Sequence, residues 1–150
     1  MHLLKNRVEY GSLYKGYLDM IKPRIKLIIA GSRSITDRAL VYSIINEFYQ
    51  EHDIDEVICG MADGVDILGK QWAEDSGHAY KEMPVLPSEK WCGGPCQRNQ
   101  RMADYARESG NGGLLLIWDG ESPGSADMLK RAKKAKIYIM VVDLSQPRLI

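Results

Sequence analysis

The chain has 150 residues, a length that suits a single domain with its own buried core. Its 20 basic and 20 acidic side chains balance, and a formal net charge of zero argues against a dedicated binder of duplex DNA. Three cysteines are too few for a disulfide scaffold, and no stretch is apolar enough to cross a bilayer. We therefore expect a reduced, cytoplasmic protein with no membrane partner.

Residues 1–25 differ from the rest of the chain and are predicted to form a helical extension. Apolar side chains recur there at helical spacing, and Pro23 ends the run. The recurring residues are Tyr10, Leu13, Tyr14, Tyr17, Leu18 and Ile21. This helix either covers an edge of the sheet or contacts another protomer. From the second interpretation we expect a homo-oligomer, a dimer or higher.

Residues 26–150 alternate short apolar runs with amphipathic segments, the pattern of strands followed by helices. Strands are predicted at 26–30, 56–59, 79–83, 114–118 and 137–142, and helices at 38–52, 64–76, 98–109 and 125–134. Residues 85–97 are rich in glycine and proline and are predicted to form a loop. The alternation predicts an α/β fold, a three-layer α/β/α Rossmann-like sandwich with a mostly parallel five-stranded sheet.

Three glycine-containing loops follow strands of this predicted sheet, at residues 31–34, 60–66 and 119–125. Each leads into a helix N-terminus, where free backbone N–H groups attract anions. In open parallel sheets, ligands bind at this carboxyl edge, where the strand order switches. Turn geometry explains a single loop of this kind, but three on one edge predict phosphate-binding loops. The sequence contains neither the G-x-G-x-x-G fingerprint nor a P-loop.

Four residues of these loops and helix starts are expected to hold phosphate. Arg33 and Arg98 are the cations, because guanidinium groups match phosphate geometry. Ser122 and Ser125 offer hydroxyls beside the N-terminus of the fourth helix. Each also has a purely structural interpretation, an exposed ion pair for the arginines and an N-cap for the serines.

Other polar and aromatic residues fit the remaining parts of a nucleotide. Asp63 and Asp66 start the second helix, where carboxylates cap backbone N–H groups. Because a carboxylate repels phosphate, we expect Asp66 or Asn99 to contact ribose hydroxyls. Trp91 lies in the loop of residues 85–97, where it either stacks on a base or packs against the domain.

Neither a metal site nor a catalytic constellation is evident from the residue pattern. Cys92 and Cys96 flank Gly-Gly-Pro, but no second ligand pair with zinc spacing accompanies them, so no metal is expected. No Ser/His/Asp set is visible either. We therefore expect no required cofactor.

The order and spacing of these residues resemble the SLOG superfamily, the Rossmann-like group that includes Smf/DprA and the LOG phosphoribohydrolases. The likeness is greatest to its YspA-type, cpYpsA-related branch. It is carried by residues 31–33, 60–66, 91 with 93–95, 98–102, 119–120, 122–125 and 128. The resemblance implies a pocket for a nucleotide or a nucleotide-derived signal, such as an ADP-ribose relative or a cyclic nucleotide. It also implies a sensor or sequestering module, with roles in bacterial and phage conflict.

The resemblance further implies which residues contact the ligand. They are Gly31, Ser32, Arg33, Gly60, Asp63, Gly64, Asp66, Trp91, Arg98, Asn99, Met102, Asp119, Gly120, Ser122, Gly124 and Ser125.

LOG enzymes hydrolyse the N-glycosidic bond of modified nucleoside monophosphates with an arginine and a glutamate. Arg98 matches the arginine, whereas Met128 occupies the position of the glutamate. Because methionine cannot stabilise an oxocarbenium-like centre, we expect binding without turnover. The alternative is a hydrolase of an N-glycosidic or related bond in which Arg98 and Glu121 are catalytic. Asp119 and Asp127 are further replacements for the glutamate in that alternative.

Two more features of the chain bear on the ligand. Met61 replaces a glycine that is usual in this branch, so the backbone there is expected to approach a ligand less closely. Binding of single-stranded DNA, as in the Smf/DprA relatives, is a third class of function, but the neutral net charge argues against it.

Overall fold

A computed structural model describes residues 7–11, 24–90 and 94–145. Over these ranges the chain forms six strands, four α-helices and one short 3₁₀ helix. In chain order they are β1 (Arg7–Tyr10), β2 (Arg24–Gly31), α1 (Arg38–Glu51), β3 (Asp53–Cys59), α2 (Val65–Ser76), β4 (Ala79–Glu82), the 3₁₀ helix (Pro87–Glu89), α3 (Gly94–Glu108), β5 (Gly112–Trp118), α4 (Pro123–Ala135) and β6 (Tyr138–Asp143). None of the helices in these ranges has the length and hydropathy needed to cross a bilayer.

The strands form one sheet in the order β1-β6-β5-β2-β3-β4. Strands β2 to β6 are parallel to one another, and β1 pairs with β6 in the antiparallel direction. From β2 the chain continues to β3 on one side, while β5 lies on the other side of β2, so the strand order switches between β2 and β5. The predicted Rossmann-like α/β fold with a mostly parallel sheet is confirmed, with six strands rather than five.

The sixth strand comes from residues 7–10, for which the predicted helix is wrong. Tertiary contacts override the helical spacing there: Arg7 bonds Glu51 on α1 at 2.6 Å, and the Tyr138 hydroxyl donates to Glu9 at 2.6 Å. The rest of the predicted helix, in residues 12–23, lies outside the described residues, and the expected oligomer remains a prediction.

Two apolar clusters cover the two faces of the sheet. On one face, side chains of α1 and α2 such as Phe48 and Trp72 pack against Leu115. On the other face, side chains of α3 and α4 such as Met102 pack against Leu114. Because neighbouring residues of β5 point to opposite faces and both are buried, this strand lies in the middle of three layers.

Helix α3 begins four residues earlier than the sequence predicts, at Gly94 rather than Arg98. Proline is tolerated in the first turn of a helix, where its missing N–H group would have no partner, so Pro95 does not prevent helix formation. The earlier start places the Cys96 side chain in the first turn of α3, on the carboxyl edge of the sheet.

Candidate functional site

A cavity of about 540 Å³ opens at the carboxyl edge of the sheet, where the strand order switches between β2 and β5. Loops after β2, β3 and β5 and the first turns of α3 and α4 form its walls. The lining residues are Ala30, Gly31, Arg33, Ser34, Ala62, Asp66, Pro95, Cys96, Arg98, Asn99, Ser122, Pro123, Gly124, Ser125, Asp127 and Met128.

The loop after β2 and the loop after β5 are bonded to each other behind this cavity. A Cβ atom on Gly31 would lie 1.7 Å from the carbonyl oxygen of Ile117, so only glycine fits beside β5 at that position. The buried Ser32 hydroxyl accepts a hydrogen bond from the Asp119 N–H group and one from the Ser122 hydroxyl, each at 2.9 Å. These bonds fix the start of α4 relative to β2.

The Asp119 carboxylate organises the turn that leads into α4. Its Oδ1 atom accepts hydrogen bonds from the N–H groups of Glu121 and Ser122, both at 2.9 Å. These backbone hydrogen bonds lower the pKa of Asp119 to about 2. Asp119 therefore supports the cavity from behind as a structural acceptor.

Asp66 is a carboxylate on the cavity wall that is only 3% exposed. Its oxygens accept hydrogen bonds from the N–H groups of Gly31 at 3.4 Å and Ala62 at 3.3 Å. Burial raises the pKa of Asp66 to about 6, although the positive charge of Arg98 opposes the shift. The carboxylate is thus poorly solvated and available to a polar ligand group.

Arg98 faces Asp66 across Gly60. A Cβ atom on Gly60 would lie 2.7 Å from the Oδ2 atom of Asp66 and 2.8 Å from the Nη1 atom of Arg98, so the absence of a side chain lets the two charges flank this residue. The Arg98 Nη1 atom donates to the Gly60 carbonyl oxygen, and its Nε atom donates to Asn99 Oδ1 at 3.0 Å. Burial lowers the pKa of Arg98 from its ordinary value.

Asn99 and Asp127 join α3 to α4 at the base of the cavity. The Asn99 amide nitrogen donates to Asp127 at 3.0 Å and to the Gly124 carbonyl oxygen at 3.3 Å. Asp127 also accepts a hydrogen bond from Arg131 Nε at 2.9 Å. Burial raises the pKa of Asp127, but the hydrogen bonds from Arg131 and Asn99 outweigh it, so the pKa falls below its ordinary value.

Three lining residues have a charge, a hydroxyl group or a neighbouring space that no other described residue pairs with or occupies. The Arg33 side chain is exposed and forms no ion pair with another described side chain. The Ser125 hydroxyl is buried and has no hydrogen-bond partner among the described residues. A Cβ atom on Gly124 would meet nothing within 4 Å. This side of the cavity is open to a ligand.

Several predicted ligand residues lie away from the cavity. Met102 is buried in the core beneath the sheet. Gly64 is required by the backbone, because its φ is +78° and a Cβ atom there would lie 2.4 Å from the Ser32 carbonyl oxygen. Asp63 lines a separate cavity of about 190 Å³ beside α2.

Two predicted residues of the loop after β5 also lie away from the cavity. Gly120 packs against Asp143, and Glu121 is exposed outside the cavity wall. Trp91 lies outside the described residues.

Several residues that line the cavity are not among the predicted ligand contacts. The predicted start of α3 is too late to include Pro95 and Cys96, and the tolerance of proline in a first helical turn is the signal that locates them. Ala30, Ser34 and Ala62 line the cavity through their position next to the loop glycines, for which their residue types give no signal.

Met61 keeps a backbone conformation that normally favours glycine. Its φ is +68°, in the left-handed region, where a residue other than glycine costs about 1 kcal/mol. The Met61 side chain packs against the core cluster on the α1 and α2 face and does not line the cavity.

The fold and the position of the cavity define the chain as a Rossmann-like α/β domain with a candidate ligand site at the switch point of its sheet. The sequence model of the YspA, cpYpsA-related SLOG family matches residues 25–85, which contain β2 to β4 and the first two glycine loops. Over these residues the resemblance to the SLOG superfamily is confirmed.

A solved structure supports the same assignment of fold. The X-ray structure of DNA processing protein A (DprA) from Streptococcus pneumoniae is similar to this chain with a TM-score of 0.57 and 16% sequence identity. The similarity covers 91% of this chain and 62% of that one, so the likeness concerns the fold and only part of the longer protein. A search of curated proteins found no match.

Proposed function

We propose that this domain binds a nucleotide or a nucleotide-derived signal, such as ADP-ribose or a cyclic nucleotide, and does not turn it over. The observation that carries this proposal is the cavity at the switch point, with the buried Ser125 hydroxyl in its wall, for which no described residue is a hydrogen-bond partner. An unsatisfied polar group at such a position is costly unless a ligand or water pairs with it.

The phosphate is expected at the start of α4. Ser122 uses its hydroxyl on Ser32 and Asp119, so it does not cap the helix, and the first backbone N–H groups of α4 have no intrahelical acceptor. The positive end of the helix dipole favours an anion there. Arg33 supplies a further positive charge on the same cavity wall.

Asp66 is better suited than Asn99 to contact ribose hydroxyls. The amide nitrogen of Asn99 is engaged by Gly124 and Asp127, and its oxygen by Arg98. Among the described residues, the Asp66 oxygens accept two long hydrogen bonds from backbone N–H groups, and a carboxylate can accept more. A carboxylate in this position would accept hydrogen bonds from ribose hydroxyl groups.

Binding without turnover follows from the groups that line the cavity. Met128, at the position of the LOG glutamate, contributes an apolar side chain. Glu121 does not line the cavity. The alternative, hydrolysis of an N-glycosidic or related bond, retains support from Asp127, whose carboxylate does line the cavity near Arg98.

Mass spectrometry of small molecules released by heating the purified protein tests the proposal without presuming a ligand. We expect a co-purified nucleotide-type compound, or binding of ADP-ribose, AMP or cyclic AMP in calorimetric titrations. Arg33→Ala should weaken that binding about ten-fold, since a charge-assisted hydrogen bond to phosphate is lost. Lys134→Ala removes the same charge from the exposed last turn of α4 and is the control. Equal loss in both variants would refute a phosphate site at Arg33.

Chromatography of each bound compound after long incubation separates the two functions. Unchanged compound supports a sensor or sequestering module, of the kind that operates in bacterial and phage conflict. Product that forms in the wild type and not in Asp127→Asn would establish the hydrolase instead.

A further inference from the structure

Cys96 is a partly exposed thiol in the wall of the candidate ligand cavity. It lies in the first turn of α3, opposite the start of α4. Its thiol interacts with the side chains of Asp127, which also lines the cavity, and of Arg131.

A second observation indicates that the space beside Cys96 accepts a ligand. Ser125 lines the same cavity and is only 5% exposed. Its hydroxyl has no hydrogen-bond partner among the described residues. Next to it, a Cβ atom on Gly124 would meet no described residue within 4 Å. The cavity therefore offers both an unsatisfied polar group and free volume within its wall.

We propose that Cys96 is a modification site for α,β-unsaturated carbonyl compounds, and that its modification and occupation of the cavity by a nucleotide exclude each other. The second part rests on the proposed function. In this addition the sulfur forms a bond to the β-carbon, the electron pair of the carbon–carbon double bond moves to the α-carbon, and the thiol proton ends on that carbon. Nothing leaves, so the whole adduct remains in the cavity and occupies the volume beside Gly124 and Ser125.

Cys59 provides an internal control for this reaction. It is fully buried in the core, and burial raises the pKa of the Cys59 thiol to about 12. A thiol with little thiolate and no access to solvent reacts slowly. A faster reaction at Cys96 than at Cys59 therefore shows that the protein remained folded during the reaction, with Cys59 buried.

The experiment uses N-ethylmaleimide on the folded Cys92→Ser variant, in which Cys59 and Cys96 are the remaining thiols. Intact mass and peptide mapping follow the adducts over time, with and without ADP-ribose, AMP or cyclic AMP. We expect Cys96 to react at least about a hundred-fold faster than Cys59. Bound nucleotide should slow the reaction at Cys96 about ten-fold, and the adduct should weaken nucleotide binding at least as much.

The outcomes separate this proposal from the proposed function. Equal rates at Cys59 and Cys96 would overturn the modification site, whatever binds in the cavity. A fast reaction at Cys96 with undiminished nucleotide binding to the adduct would overturn the mutual exclusion. A fast reaction at Cys96 in a protein to which none of the nucleotides binds would support the modification site and count against the proposed function alone.

Discussion

The loops after β3 and β5 both carry glycines at the start of a helix, and the structure uses these glycines in opposite ways. Around Gly60 and Gly64 the space is filled, since an added Cβ atom would lie under 3 Å from Asp66, Arg98 or the carbonyl oxygens of the β2 loop. Around Gly124, no described residue lies within 4 Å of an added Cβ atom. The loop after β3 uses Gly60 and Gly64 for close packing, whereas Gly124 leaves room at a cavity wall.

This difference teaches that glycine at a strand-to-helix junction does not by itself indicate ligand contact. In the loop after β3, the residues that line the cavity are Ala62 and Asp66, while Gly60 and Gly64 are closely packed and do not line it. In the loop after β5, Gly124 itself lines the cavity. Substitutions in these loops therefore differ in their expected effects on stability and on ligand binding.

Gly64→Ala should have the largest effect. Gly64 has a φ of +78° and a ψ of −130°, a region that is open almost solely to glycine, and the new methyl group would meet two backbone oxygens. We expect the free energy of unfolding to fall by about 3 kcal/mol or more in urea titrations. Gly77→Ala, at φ +76° with nothing within 4 Å, is the control and should cost about 1 kcal/mol. Equal costs would show that the space around Gly64 is not filled.

Asp66→Asn should change the pH dependence of stability. Burial raises the pKa of Asp66 in the folded protein from 3.8 to about 6, so the folded state binds this proton more tightly than the unfolded state does. The carboxyl group therefore stabilises the fold below about pH 4, and this contribution is lost as the pH rises through 6. Between about pH 4 and pH 6 the free energy of unfolding of the wild type should fall by on the order of 3 kcal/mol relative to that of the variant.

Urea titrations from pH 4 to 7 measure the slope of the free energy of unfolding against pH, with Asp63→Asn as the control. Asp63 is exposed in the same loop, so its substitution should leave the slope of the wild type unchanged. Parallel stability curves for wild type and Asp66→Asn over this range would contradict the buried state of Asp66.

Ser32→Ala should have a smaller effect. It removes the buried hydroxyl that accepts hydrogen bonds from Asp119 and Ser122, and an unmade buried hydrogen bond costs about 1–2 kcal/mol. Thermal unfolding measures this loss of stability. In the same measurement, Ser34→Ala, an exposed control two residues further along the chain, should change the free energy of unfolding by no more than about 0.5 kcal/mol. If both variants match the wild type, the two loops are not held together by Ser32.

Gly124→Ala should have the smallest effect on stability and a large one on binding. Alanine favours the helix over glycine by up to about 1 kcal/mol, and its methyl group enters the open side of the cavity. We expect unchanged or slightly higher stability and about ten-fold weaker nucleotide binding by calorimetry. Ala126→Gly, on the exposed side of α4, should lower stability by about 1 kcal/mol and leave binding intact. Undiminished binding to Gly124→Ala would place the ligand elsewhere.

Much of the fold could be predicted because most of its signals are local. The apolar runs and helical spacings locate β2 to β6 and all four helices to within a few residues. The error over residues 7–10 has a different origin, because pairing with β6 decides their conformation and that strand lies more than a hundred residues away in the chain. The late predicted start of α3 came from treating Gly94 and Pro95 as loop residues.

The candidate site was predicted in part. Gly31, Arg33, Asp66, Arg98 and Ser125 were predicted and do line the cavity, because the carboxyl ends of parallel strands meet at one edge. Met102 was predicted to contact the ligand but is buried in the core. Helical spacing identifies the apolar face of a helix, but it does not tell which residues of that face lie in the core and which line a cavity.

The alternation of strands and helices, and the edge of the sheet at which the glycine loops lie, are properties that can be predicted from the sequence. Both follow from hydrophobic periodicity and turn chemistry, which act between near neighbours in the chain. Long-range packing is needed to know which of those loops is open, that the buried Ser125 hydroxyl has no partner among the described residues, and that Cys96 lines the same cavity. A cavity is the volume that packing leaves unfilled, and its shape depends on contacts between elements that are far apart in sequence.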